Sequence, residues 1–268
     1  MRRYILSVHK WLGIVFGVFI AIECFTGAIL VFRGEIANLL GPESGAGEFF
    51  RWVMRLHRWL LNVPAQPHGG LSVGRVVMGV SAMALTVELV TGVILWWPRS
   101  AKALRSRLSV SVSKGWARFV RDTHVSLGVY ACVFLLLMSL TGPVWSFGWY
   151  RSGATAVIGA SEAPRQQAAP IENHRQERGQ EPGRAQERGR GAAGGEDGHS
   201  RGRDATGGRG SAGGRGGAQK TFISLHMGQW GGTASRVIHL LASVIGGFLP
   251  VSGYYMWLKK RKTRRSNR

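Results

Sequence analysis

Four long apolar blocks are the feature that most limits the folds open to this 268-residue chain. They cover Leu12 to Phe32, Val76 to Trp97, Val125 to Trp145 and Val237 to Leu258. Each block is about 20 residues long, and a helix of that length rises about 30 Å, which matches the hydrocarbon core of a bilayer. The blocks therefore predict an all-α membrane protein with four transmembrane helices in contact with lipid.

The basic residues separate according to the side of the membrane. The chain has 35 Lys and Arg residues and a formal net charge of +21. Of these basic residues, 17 flank one face: they lie in the N-terminal segment, between Arg99 and Arg121, and in the tail from Lys259. The connection from Arg33 to Arg75 on the other face carries five. Because positively charged loops stay in the cytoplasm, we expect a multi-pass protein with both termini cytoplasmic. This distribution explains the charge without a nucleic-acid partner.

Composition divides the chain into three parts. Residues 1–150 hold the first three spans and a short amphipathic outer segment from Arg51 to Leu61. Residues 151–220 are rich in Gly and Arg and poor in large apolar side chains, so they are predicted to form a long disordered outer, periplasmic loop. Residues 221–268 hold the fourth span and a basic cytoplasmic tail. His68, His174 and His199 fall in connections and are interpreted as loop residues.

The chain contains an internal duplication. His9 and His124 each begin a His-x-x-Leu-Gly segment, and Thr26 and Thr141 each follow their histidine by 17 residues. All four spans end in related pairs: Thr26-Gly27, Thr91-Gly92, Thr141-Gly142 and Ser252-Gly253. Spans one and two therefore form one repeat and spans three and four another, both with the same orientation in the membrane.

Five histidines fall at two depths in this topology. His9 and His124 lie on the cytoplasmic side, whereas His57, His226 and His239 lie on the outer side. Paired imidazoles at two depths are what a bundle needs to hold two b-type haems, each iron bound from two helices. His9 and His124 are the predicted ligands of the inner haem iron. For the outer iron, the duplication pairs His57 with His226, while depth and an Arg-x-x-His spacing favour His239.

Other residues near the histidines have candidate roles. Arg121 precedes His124 by three residues, and Arg236 precedes His239 by three, so both are candidate partners of haem propionates. Gly13 and Gly128 follow their histidines by one helical turn and either make room for a macrocycle or allow close helix packing. Glu23 and Glu88 lie near mid-membrane. They either belong to a proton or cation path or are neutral carboxyls that form hydrogen bonds inside the bundle. Cys24 and Cys132 are expected to pack as small apolar residues.

Several of these segments together resemble a known family. They are His9 to Gly13, Leu56 to Arg58, His124 with Leu127-Gly128, Leu225 to Gly228, and Ser252-Gly253 followed by Trp257 and basic residues. They are similar to the PepSY-associated transmembrane proteins, bacterial inner-membrane proteins sometimes called iron-regulated membrane proteins. The resemblance implies a four-helix protein of that membrane, and some members are di-haem reductases that pass electrons to ferric siderophores. The outer connections show no recognisable globular PepSY domain.

Three functions are compatible with these patterns. The first is a di-haem b-type oxidoreductase, a membrane reductase that carries electrons to an acceptor outside, for example a ferric chelate or siderophore. No dinucleotide-binding motif occurs in the short cytoplasmic segments, so its electron donor would be a quinol or a separate reductase. The second is a non-enzymatic PepSY-type membrane partner or regulator, and the third is a metal or proton transporter that uses Glu23, Glu88 and the outer histidines.

Overall fold

The computed structural model describes residues 1–64, 70–158 and 213–266. These residues are mostly helical and contain no β-strand. The α-helices in chain order are α1 Arg2–Leu30, α2 Arg33–Leu40, α3 Ala46–Trp59, α4 Val73–Trp96, α5 Ala101–Leu108, α6 Trp116–Thr141, α7 Gly148–Val157, α8 Gly213–Met227 and α9 Gly232–Ser266.

Four of these helices, α1, α4, α6 and α9, are long and apolar enough to cross a membrane. Each helix begins before its predicted block, and α1, α4 and α6 end one to four residues before the block does, at Leu30, Trp96 and Thr141. The prediction of a four-helix membrane protein is confirmed. Large apolar side chains such as Val18, Val90, Val133 and Phe248 are exposed on their outer surfaces. In water this surface would be unfavourable, whereas in a bilayer it contacts lipid.

The four long helices form a bundle in which α1 and α6 each pack against both α4 and α9. The middle of the bundle is filled by small and branched side chains. This core consists of Ile20, Cys24, Leu85, Leu89, Ala131, Cys132, Leu135 and Ala242. Cys24 and Cys132 are free and buried, which confirms that they pack as small apolar residues. The core leaves open space at both ends of the bundle.

The two repeats have the same element order. In the first, α1 is followed by the short helices α2 and α3 and then by α4; in the second, α6 is followed by α7 and α8 and then by α9. Helix α3 forms on the predicted amphipathic segment and buries Phe50 and Val53 against Leu30 of α1. Helix α8 buries Phe222 against Val144, in the short 3₁₀ helix after α6. We call the end of the bundle with both termini the terminal end and the opposite end the loop end.

The segment predicted as a disordered loop, residues 151–220, is described only at its two flanks. Both flanks are helical, since α7 reaches Val157 and α8 begins at Gly213. Residues 159–212 lie outside the described residues, as do His68, His174 and His199.

Candidate functional site

Two pairs of histidines face each other at opposite ends of the bundle. His9 on α1 and His124 on α6 lie at the terminal end, with ring centres 6.4 Å apart and ring planes at 88°. Both rings line a cavity of about 710 Å³ enclosed by α1, α4, α6 and α9. We call this pair the terminal site.

The second pair lies at the loop end. His57 on α3 and His226 on α8 have ring centres 6.3 Å apart and ring planes at 57°. They line a smaller cavity of about 280 Å³. We call this pair the loop site. His9 and Thr26, whose hydroxyl contacts His57, are 17 residues apart on α1, which separates the two sites by about 25 Å along the helix axis.

The Nδ1 atom of each of the four rings contacts the hydroxyl of a Thr or Ser that lies near the end of a span in the same repeat. At the loop site, His57 Nδ1 lies 2.9 Å from Thr26 Oγ1, and His226 Nδ1 lies 2.9 Å from Thr141 Oγ1. At the terminal site the contacts are made as follows: His9 Nδ1 to Thr91 Oγ1 at 3.0 Å, and His124 Nδ1 to Ser252 Oγ at 2.7 Å. One local arrangement is therefore used four times.

The glycine after each hydroxyl residue lies directly beside the anchored ring. A Cβ atom built on Gly92 would lie 3.4 Å from His9 Cε1, and one built on Gly253 would lie 4.0 Å from His124 Cε1. Gly27 and Gly142 lie similarly close to the rings of the loop site. A residue larger than alanine would push the ring away from the helix. The Thr/Ser-Gly pair thus supplies both the hydrogen bond and the space that each imidazole needs.

The hydrogen bonds determine which ring nitrogen carries the proton. Thr141 Oγ1 donates its own hydrogen to the carbonyl of Leu137, so its oxygen can only accept from His226 Nδ1. His226 Nδ1 also contacts the carbonyl of Met138 at 3.1 Å, which accepts only. The other three hydroxyls likewise donate to backbone carbonyls of their own helices. All four imidazoles therefore carry their proton on Nδ1 and leave a lone pair on Nε2.

These lone pairs are available for metal coordination. Within the described residues, no hydrogen bond involves the Nε2 of any of the four rings. An imidazole nitrogen lies about 2.0 Å from a metal that it binds and about 1.1 Å from its ring centre, so two opposed ligands have ring centres about 6 Å apart. Both sites match this spacing. No group of three or more potential metal ligands is found among the described residues.

His239, the other candidate ligand of the outer iron, is not placed opposite His57. It is fully buried beside Phe134 and Trp230, and its two ring nitrogens contact the carbonyls of Ser235 and Leu225 at 2.9 and 3.1 Å. Both oxygens only accept, so a neutral ring donates to one of the two carbonyls. His239 also lines the loop cavity, but its two nitrogens face the backbone. Leu225 precedes His226, so the His239 ring instead supports the turn that presents His226.

Of the two predicted arginines, one lines its cavity and the other does not. Arg236 does not reach the loop cavity, because its guanidinium bonds Glu35 and the carbonyl of Val31 and lies over the Phe32 ring. Its hydrogen bonds lower the pKa of the Glu35 carboxyl to about 2. Arg121 does line the terminal cavity, and its guanidinium lies 3.6 Å from Asp122. The cavities have further basic lining residues: Arg2, Arg107 and Arg118 at the terminal end, and Arg33, Arg58 and Arg75 at the loop end.

The loop site holds its imidazoles in the neutral form. Burial lowers the pKa of His57 to about 4, and the neighbouring Arg58 charge adds to this effect. Burial also lowers the pKa of His226 to about 3, and the neighbouring His57 contributes a smaller lowering. A neutral imidazole is the form that binds metal. The two rings are therefore ready to coordinate at neutral pH.

Glu23 and Glu88 occupy the two cavities. Glu23 lines the loop cavity, and Glu88 lines the terminal cavity with its Oε2 3.0 Å from His9 Nδ1. The roles of Thr26, Thr141 and their counterparts were missed from the sequence, where the Thr-Gly pairs served only to detect the repeats. Their signal was present, because each repeat contributes two histidines to the sites and has two Thr/Ser-Gly pairs.

The fold and the paired sites define a multi-pass membrane protein of four spanning helices, built from two repeats in parallel orientation. The family model described as the PepSY-associated TM region matches residues 6–48 and 41–260. The chain belongs to this family, which confirms the resemblance seen in its motifs. No curated protein and no solved structure matches the chain.

Proposed function

We propose that this protein is a di-haem b-type oxidoreductase of the bacterial inner membrane, which moves electrons across the membrane to an acceptor outside. The observation that carries the proposal is the pair of opposed, Nδ1-protonated imidazoles at each end of the bundle. The two histidine nitrogens of each pair would hold a haem iron. A bound haem would provide one-electron redox chemistry at each end.

The chain's own residues would hold and orient these groups. His9 and His124 would bind one iron, and His57 and His226 the other. The Thr and Ser hydroxyls keep the rings in the tautomer that offers Nε2, a role that outer-shell partners of metal-binding histidines commonly have. The apolar core between the two cavities keeps water out of the middle of the bundle.

The arginines of the two cavities support an anionic cofactor. Arg33, Arg58 and Arg75 line the loop cavity, and within the described residues none of them pairs with a carboxylate. At the terminal end Arg121 lines the cavity that His124 also lines, together with Arg2, Arg107 and Arg118. Haem propionates would be suitable partners for both groups, because arginine binds carboxylates through two parallel hydrogen bonds.

The direction of transfer follows from the charge distribution. The terminal end carries the basic segments, which would place it in the cytoplasm and the loop end outside. Electrons would enter at the terminal site from a quinol or a separate reductase. They would leave from the loop site to a ferric chelate or siderophore.

A visible spectrum of the detergent-purified protein tests the proposal. We expect Soret and alpha bands that change on reduction, with two haems per chain by pyridine haemochrome assay. A protein purified from haem-sufficient cells without these bands would refute the oxidoreductase and favour a non-enzymatic membrane partner.

Reporter fusions test the orientation separately. An alkaline phosphatase fusion at Gly195 should be active, and one after Arg268 should be inactive, because the phosphatase folds only outside the cytoplasm. The reverse result would exchange the entry and exit sites without affecting the haem ligands.

A further inference from the structure

Glu88 breaks the symmetry between the two repeats. At three of the four rings, Nδ1 meets only neutral oxygens, a hydroxyl and a backbone carbonyl. His9 Nδ1 meets the same two kinds of oxygen at 3.0 and 3.1 Å and, in addition, Glu88 Oε2 at 3.0 Å. Among the contacts of the described residues, His9 is therefore the only one of these four rings with a carboxylate on its Nδ1.

The equivalent position in the second repeat shows that this difference lies in one residue. Glu88 and Leu249 each precede the hydroxyl residue of their span by three positions. Gly13 lies over Glu88, with a built Cβ 3.4 Å from Oε1, and Gly128 lies over Leu249 with a built Cβ 3.6 Å from Cδ2. The backbone arrangement is thus the same around both rings of the terminal site.

The surroundings make the carboxylate effective. The Glu88 side chain is only 12% exposed, and its Oε1 is buried without a hydrogen-bond partner among the described residues. A charged acceptor forms a hydrogen bond about twice as strong as a neutral one. Bonding of this kind raises the basicity of a metal-binding imidazole. A more basic axial ligand stabilises the oxidised metal more than the reduced metal, which lowers the reduction potential.

Glu23 provides a natural comparison at the other end. It also precedes its hydroxyl residue, Thr26, by three positions and lines the loop cavity. Its carboxylate makes no hydrogen bond or ion pair with the residues described here, whereas its backbone carbonyl bonds His57. The two acidic residues therefore have the same register but different partners.

We propose that Glu88 is a positioning residue that acts through His9 to lower the reduction potential of the terminal site below that of the loop site. This inference rests on the proposed function, because it concerns a haem held by His9 and His124. It assigns the two sites different properties, which neither the repeat nor the matching ring distances would suggest. A more reducing terminal site would favour transfer toward the loop end.

The test is a redox titration of the full-length holoprotein, followed in the alpha band, in the wild type and in Glu88→Gln. Glutamine keeps the size of the side chain and removes its charge. We expect the midpoint potential of the terminal site to rise while that of the loop site stays constant. Glu23→Gln is the matched control and should leave the terminal potential unchanged. The two sites are assigned by their loss in His124→Ala and His226→Ala.

A second variant covers the case in which Glu88→Gln does not assemble. Leu249→Glu places a carboxylate at the equivalent position beside His124 and should lower the terminal potential further. An unchanged terminal potential in a Glu88→Gln protein with both haems would overturn the inference and leave the proposed function standing. A wild-type protein without haem would instead overturn the proposed function, and the inference with it.

Discussion

The terminal and loop sites have almost the same ring separation but are built on different supports. His9 and His124 are part of two spanning helices, α1 and α6, whereas His57 and His226 lie on the short helices α3 and α8. The terminal site is therefore positioned by the bundle itself. The loop site depends on how well two short helices pack onto the bundle, so we expect it to be the more easily disrupted of the two.

The largest expected effect comes from removing one ring at a time. His9→Ala or His124→Ala should remove about one haem per chain, half of the total, because the iron of the terminal site loses one of its two histidine ligands. His57→Ala or His226→Ala should remove the other haem. The haemochrome assay, normalised to protein, measures this loss. Full haem content in both His9→Ala and His124→Ala would contradict the assignment of the terminal site.

A second comparison separates the two candidates for the partner of His57. His239→Ala should keep both haems but lower the melting temperature, because the buried ring supports the Leu225 carbonyl and fills space beside Phe134. His226→Ala should lose the loop haem. Spectra and thermal unfolding of the two variants distinguish these roles. Loss of a haem in His239→Ala with the melting temperature unchanged would show that His239 is a ligand after all.

The hydroxyl anchors should matter more at the loop site. Thr141→Val leaves His226 Nδ1 with only the Met138 carbonyl, so we expect haem affinity at that site to fall roughly 10- to 100-fold. Thr91→Val should have a smaller effect on the terminal site, since Glu88 still holds His9 through two oxygens. Haem titration of the haem-free variants gives both affinities.

Thr221→Val is the matched control for the hydroxyl variants. Thr221 lies on α8, is exposed, and bonds only the Gly217 carbonyl within its own helix. Its replacement should leave both affinities unchanged. Equal losses in Thr91→Val and Thr141→Val would show that the extra contacts of His9 contribute nothing to haem binding.

Acid should destabilise the haem-free protein through the loop site. The pKa values of His57 and His226 are lowered to about 4 and 3, whereas an unfolded histidine titrates near about 6.5. Below a pH of about 6.5, these histidines become protonated in the unfolded chain while they stay neutral in the folded chain. The free energy of unfolding should then fall by about 1.4 kcal/mol per pH unit for each histidine, down to pH near 4. Above pH 7 it should be constant.

Thermal unfolding of the haem-free protein in detergent between pH 7 and 4.5 measures this dependence. The double variant His57→Ala/His226→Ala should show a flatter profile over the same range. An equally steep profile in the double variant would assign the acid sensitivity to other groups.

The smallest effect is expected from shortening the connection between α7 and α8. Deleting residues 166–208 should leave haem content and melting temperature unchanged, because this Gly- and Arg-rich sequence offers few apolar side chains for packing. Closing a loop of different length changes stability only slightly. Loss of the loop haem in the deletion would show that the connection helps to place α8.

The outer-site arginines show where sequence reasoning reached its limit. An Arg-x-x-His spacing suggested Arg236, yet its guanidinium turns toward Glu35 and away from the loop cavity. Arg58 and Arg75, which line that cavity, have no comparable spacing to a histidine on a spanning helix. Spacing along one helix predicts a shared face, but it does not predict which neighbouring element that face meets.

The sequence by itself determined the four spans, the two repeats and the equal depth of His9 and His124, because all three follow from local periodicity and from equal spacing along helices. Only the tertiary structure placed the His226 ring beside that of His57 and assigned the Thr/Ser-Gly pairs to the four rings. These features depend on how α3 and α8 dock, and docking is set by packing between residues distant in sequence. His57 follows Thr26 by 31 positions and His226 follows Thr141 by 85, and separations of this size leave no local signal of the contact.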